Sequence, residues 1–238
     1  EWPGCGNSEH NAEDTRHSGF DATMTRRKIS PTLRRILLVL AAASTLLLGY
    51  YAGNQFSREQ LDAGSATLLP HARELPEFSL VGQDGEAFTR ESLKGKWHLV
   101  FFGYTYCPDI CPTTLTRYTQ VTNRLGDAPD ILDNTRVLFV SVDPGRDTPA
   151  RLKEYVQFFN PEFIGATGDP DELARLAKAF ALFYQAHEPD ENGNYLIDHS
   201  AAVAIVNPDA RLMGYFSAVT DPEVISRDYR RIVEFFGS

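Results

Sequence analysis

The chain has 238 residues, 42% of them apolar, and a formal net charge of −9, which suits one packed domain with appendages. Residues 54–238 carry 17 Lys/Arg against 27 Asp/Glu, a formal −10, and so acidic a segment argues against nucleic acid as a partner, because that requires a basic patch. With three cysteines, a disulfide framework is excluded.

Residues 1–23 are polar, begin with Glu, and hold Cys5, His10 and His17 without a ligand spacing tied to any fold. Met24-Thr25-Arg26-Arg27-Lys28 reads as a natural start, so 1–23 is expected to be an upstream segment of separate origin. Residues 24–35 form a basic N-terminus containing Arg26, Arg27, Lys28, Arg34 and Arg35. Residues 36–53 are uncharged and nearly all apolar, at the short end of a membrane span. The basic cluster lies on one side only, so the positive-inside rule puts the N-terminus in the cytoplasm and the remainder outside. Tyr50 and Tyr51 fit the far interface. An uncleaved anchor is expected; a cleaved signal peptide, with Ala41-Ala42-Ala43 as its small residues, is the alternative.

Residues 54–74 show no clear period and read as a tether, with the globular domain spanning 75–238. Gly82-Gln83-Asp84-Gly85 is a turn between two short strands. Leu99, Val100, Phe101 and Phe102 form a strand that leads through Gly103 to Cys107-Pro108-Asp109-Ile110-Cys111-Pro112. Pro112 opens a helical pattern with Leu115, Tyr118, Thr122 and Leu125 on one face. Val137–Val142 reads as a strand buried on both faces. Thr148-Pro149 starts a helix, and Asp169-Pro170 starts another with Glu172 at the capping-box position. The polar turn Asp190–Asn194 lacks the downstream Glu of a calcium loop. Ala201–Val206 is a further buried strand, and Asp221-Pro222 opens a last helix. This order predicts an α/β, thioredoxin-like fold: a mixed central sheet flanked by helices, with an N-terminal transmembrane helix. The dithiol then falls at the C-terminal end of a central strand.

A helix N-terminus stabilises anions, so both thiol pKa values are expected to fall. At a spacing of i and i+4, Cys107 and Cys111 share one helical face and can hold a common guest. Two thiolates select soft metals, copper(I) above all. Of six histidines, His199 has the setting of a third ligand, since Asp198-His199-Ser200 precedes the buried strand that faces the dithiol in thioredoxin-like folds. His98, His187 and His71 read as structural or solvated. There is no nucleophile elbow and no phosphate-cradling Gly loop. The peroxiredoxin pocket is absent too, with Tyr104 and Val100 where its Thr and Pro would stand.

Three segments carry a family resemblance: Gly103–Pro112, Val140-Ser141-Val142-Asp143-Pro144-Gly145-Arg146-Asp147-Thr148-Pro149, and Asp198-His199-Ser200. In this order they resemble the Sco/SenC family of membrane-anchored copper proteins, over roughly residues 75–237. Gly145 departs from the pattern, where an acidic residue is common. The resemblance implies a copper ion, as copper(I) or copper(II), on Cys107, Cys111 and His199. It also implies a role in assembling the binuclear copper centre of cytochrome c oxidase. Asp143 and Asp198 are candidates for orienting the ligands, or else a turn residue and a cap.

The expected protein is therefore a metallochaperone rather than an enzyme. It sits in a bacterial inner membrane with its C-terminal domain in the periplasm. Its partners would be the copper-centre subunit of the oxidase and another periplasmic copper chaperone. The rival reading is a thiol–disulfide reductase, with Cys107 and Cys111 redox-active, that keeps the subunit's copper-ligand cysteines reduced. A copper or redox sensor is a third.

Overall fold

The computed structural model describes residues 30–57 and 64–237. The upstream segment 1–23, residues 24–29 of the basic terminus and residues 58–63 of the expected tether lie outside these. The chain divides into two compact units near residue 60.

The first unit contributes helix α1, Pro31–Ser57. Ser30 Oγ accepts from the Leu33 N–H at 3.2 Å, and Pro31 occupies the first helical position, where its missing N–H costs nothing. That start extends the helix beyond the apolar run 36–53. Pro31–Tyr50 has a mean hydropathy of 1.6 over 20 residues, long and apolar enough to cross a membrane.

The second unit is built on strands β1 (Thr67–Glu74), β2 (Ser79–Gly82), β3 (Ala87–Thr89), β4 (Trp97–Gly103), then helices α2 (Ile110–Arg124) and α3 (Pro129–Asp133). There follow β5 (Thr135–Ser141), α4 (Pro149–Phe159), β6 (Ile164–Thr167), α5 (Pro170–Ala179), β7 (Tyr184–Ala186), β8 (Ile197–His199), β9 (Ala202–Val206), β10 (Arg211–Ser217) and α6 (Pro222–Phe236). Eight strands form one mixed sheet in the order β1-β10-β9-β4-β5-β6-β2-β3, and β7-β8 pair separately. β4, β5 and β6 run parallel. Every residue of β4 is buried, as expected for a strand held between β5 and β9. This is the mixed sheet flanked by helices that the sequence predicts.

Three expectations are corrected. The segment read as a tether contains β1, which pairs antiparallel with β10 from Thr67↔Tyr215 to Glu74↔Arg211. A register shift between Leu68 and Arg73, around Pro70, erases the alternation by which an edge strand is recognised. Second, α2 begins at Ile110, so Pro112 lies inside the first turn, where its N–H would be unpaired in any case. Third, Glu172 forms no capping box: Asp169 caps α5 by accepting from the Asp171 N–H, while Glu172 Oε1 accepts from Ser79 N–H of β2 at 2.9 Å. Thr148 and Asp221 cap α4 and α6 as predicted, each followed by Pro.

Candidate metal centre

β4 and β5 end side by side, with Gly103 opposite Ser141. The chain leaves β4 through the thiol loop and leaves β5 through Asp143–Asp147, so both loops sit at the same edge of the parallel strands. Cys107 lies in the loop and Cys111 in the first turn of α2. The two are thus not on one helical face as the spacing suggested; the bend at Pro108-Asp109 turns Cys107 back toward the helix instead.

β8 brings His199 to this edge. The Sγ atoms of Cys107 and Cys111 and a ring nitrogen of His199 all lie within 4.8 Å of one another. Cys111 Sγ is 3.3 Å from His199 Nε2. His199 Nδ1 is 3.3 Å from the Ser200 carbonyl, which turns the other ring nitrogen, Nε2, toward the sulfurs. The ring packs edge-on against Phe101 at 5.6 Å and Tyr104 at 6.0 Å. Tyr104 also accepts from the Ile197 N–H at 3.2 Å.

Both thiols are free, and their pKa values move apart instead of both falling. That of Cys107 is lowered, first because the Cys111 thiol donates to it, then through His199 and the backbone N–H groups of Asp109 and Cys111. Cys111 is fully buried and its pKa is raised, by burial first and then by its neighbour Cys107. The helix N-terminus serves only the outer sulfur.

Gly103 makes room for this arrangement. A Cβ there would stand 2.6 Å from Cys111 Sγ and 2.8 Å from Phe139 Cε2. Asp147, fully buried, fixes the thiol loop to β5. It accepts from Thr105 N–H at 2.9 Å, Thr105 Oγ1 at 2.6 Å and Ser141 Oγ at 2.5 Å.

The two expected orienting carboxylates bond elsewhere than to the sulfurs or His199. Asp143 is buried and accepts from Arg146 Nε at 2.5 Å and Tyr195 Oη at 2.7 Å. Asp198 is exposed and pairs with His187 Nε2 at 2.9 Å. His98 is buried in β4 with Nδ1 3.1 Å from the Lys96 carbonyl, and burial lowers its pKa to about 4. Asp190 accepts from the Asn192 and Asn194 N–H groups, which accounts for it as a turn residue.

Sequence reasoning overlooked Gly103, Asp147, Arg146 and Tyr195. Arg146 and Asp147 lie inside the Val140–Pro149 motif, and two adjacent charges between a buried strand and a helix cap were the available signal. For Tyr195, in an irregular hairpin, there was none.

The SCO1/SenC family pattern matches residues 67–234. The chain belongs to the SCO1/SenC family. A Stutzerimonas stutzeri protein named for a proposed copper-binding role is 39% identical over 204 residues, covering 85% of this chain and 96% of that one. The structure of Bradyrhizobium japonicum ScoI with copper bound is 38% identical, with a TM-score of 0.60, covering 66% of this chain and 98% of that one. The chain is also similar to BsSco, described as having a disulfide switch and as a member of the Sco family of cytochrome c oxidase assembly proteins. There the identity is 26% and the TM-score 0.53, over 68% of this chain and 95% of that one.

In this SCO1/SenC chain the assembled group can do two things. Two sulfurs and one imidazole nitrogen can hold a soft metal ion. The same two sulfurs, one ionised and one protonated, can exchange with a disulfide.

Proposed function

We propose that this protein binds copper through Cys107, Cys111 and His199 and delivers it for assembly of the binuclear copper centre of cytochrome c oxidase. The observation that carries this is the convergence of two thiols and an imidazole within 4.8 Å. The donor set is soft and three-coordinate, which suits copper(I), and it accommodates copper(II) with a weak further ligand. The copper-bound Bradyrhizobium relative supports copper as the ion, and the description of BsSco supports the oxidase.

α1 is the proposed membrane anchor. Arg34 and Arg35 precede its apolar run, which supports an N-terminus in the cytoplasm and a folded unit in the periplasm of a bacterial inner membrane. The partners in this reading are the copper-centre subunit of the oxidase and another periplasmic copper chaperone.

A second reading is favoured by the divergence of the two thiols. The Cys107 thiolate attacks a partner disulfide, and Cys111 then displaces the partner's second thiol. The partner leaves as a dithiol and Cys107–Cys111 as a disulfide, with two electrons passed. His199→Ala separates the readings. A chaperone loses oxidase assembly at normal protein levels, because the nitrogen ligand is gone. A reductase keeps most exchange activity and still supports assembly, which would overturn the first reading.

A further inference from the structure

The β7-β8 hairpin is a sheet of its own, not paired with the main one. His199 ends β8, so its position depends on how the hairpin is held to the rest of the unit. One tie is the Ile197 N–H to Tyr104 Oη. Ile197 is itself buried in the core, and His199 packs on Phe101 and Tyr104. Ahead of β8, at Tyr195, the ties run through Arg146 and Asp143. Arg146 Nη1 donates to the Tyr195 carbonyl at 3.0 Å, and its guanidinium carbon lies 3.5 Å from the centroid of the Tyr195 ring. Its Nε donates to Asp143 Oδ2, while Tyr195 Oη donates to Asp143 Oδ1. The guanidinium also lies 4.8 Å from the ring centroid of Tyr106, the residue before Cys107.

Arg146 therefore touches three segments at once: the loop after β5, the approach to Cys107, and the strand approach to His199. Its side chain is 19% exposed and that of Asp143 3%, so the pair is screened little by solvent. A planar fork that donates from its edge and stacks on its face meets all these demands; an ammonium does not.

We propose that Arg146 is a positioning residue that latches the β7-β8 hairpin over the thiol loop and so sets how long a metal stays on His199. The proposal rests on His199 being a ligand. With the latch closed, the imidazole stands beside Cys111. With it open, the hairpin lifts, the nitrogen donor leaves, and the ion stays on two sulfurs from which a partner's ligands can take it. Asp143 acts through Arg146 and Tyr195 and not on a sulfur.

The test uses the full chain in detergent and three variants, Arg146→Gln, Arg146→Lys and Tyr195→Phe. Hydrogen exchange of the metal-free protein reads the hairpin without reference to copper. Release of bound copper(II) to EDTA reads the metal. Arg146→Gln should speed exchange in residues 184–186 and 197–199 about tenfold and leave β4 and β5 unchanged. It should also speed copper(II) release about 10–100-fold. Arg146→Lys should resemble Arg146→Gln, because charge without the fork is not enough. Tyr195→Phe, which loses one hydroxyl and keeps the stacked ring, should fall between and remains readable if Arg146→Gln does not fold. Unchanged hairpin exchange in all three variants, faster exchange with unchanged copper release, or full rescue by Lys would each overturn the latch. A wild-type chain that retains no copper would overturn the ligand assignment instead, and the exchange data, which need no metal, tell the two failures apart.

Discussion

Cys111 Sγ and His199 Nε2 stand 3.3 Å apart although 88 positions separate them in sequence. Cys111 is fixed by the first turn of α2 and by the space that Gly103 leaves at the end of β4. His199 is fixed by a hairpin outside the main sheet. One half of the site belongs to the rigid core and the other half to an added element. Under the proposed copper delivery, that division would let one donor leave while two remain.

The close approach at Gly103 is testable by Gly103→Ala. The added methyl meets Cys111 Sγ and Phe139 at distances no Cβ tolerates, so the variant should lose about 1–3 kcal/mol of stability. It should also bind copper more weakly, because Cys111 must shift. Urea unfolding and copper titration measure the two effects. Unchanged values in both would show that the sulfur has room to move.

The two thiols should differ in reactivity. Cys107 is half-buried with a lowered pKa and Cys111 is buried with a raised one. At pH 7 in the reduced, metal-free protein, iodoacetamide should label Cys107 at least about tenfold faster. Mass spectrometry of the labelled peptides decides it. Equal labelling would contradict the buried setting of Cys111.

Asp147 should matter for stability more than for exchange chemistry. Asp147→Ala leaves the buried Thr105 N–H and two hydroxyls without their acceptor. The expected loss is about 3 kcal/mol in urea unfolding. A loss under about 0.5 kcal/mol, the range of ordinary surface changes, would mean that the thiol loop is held by other contacts.

His98 gives the stability a pH dependence. Burial lowers its pKa from the ordinary 6.5 to about 4 in the folded chain. The unfolded chain therefore binds the proton more readily, and stability rises with pH across this range. The His98 contribution is fully present above pH 6.5 and is lost as pH falls toward 4, by up to about 3 kcal/mol. His98→Gln should flatten that part of the profile when urea unfolding is compared at pH 7.5 and 4.5. An unchanged slope would assign the dependence to other groups.

The fold was legible wherever one physical signal dominated. The apolar run Leu99–Phe102 of β4 and the Thr148-Pro149 and Asp221-Pro222 caps are local, and the structure reproduces them. β1 was missed because Pro70 and the bulge remove the period that marks a strand. The opposite pKa shifts of Cys107 and Cys111 were missed because spacing says nothing about depth: the helix terminus faces one sulfur, and the core surrounds the other. The Asp143–Arg146–Tyr195 contacts span 52 positions and join a motif to an irregular hairpin, so only the folded chain brings them together.

The central claim is that Cys107, Cys111 and His199 hold copper together. Copper K-edge X-ray absorption on the copper-loaded chain tests it most directly. Two sulfur neighbours and an imidazole nitrogen are predicted for the wild type, and His199→Ala should keep both sulfurs and lose the imidazole signal. A copper shell without sulfur, or one that His199→Ala leaves unchanged, would contradict the assignment.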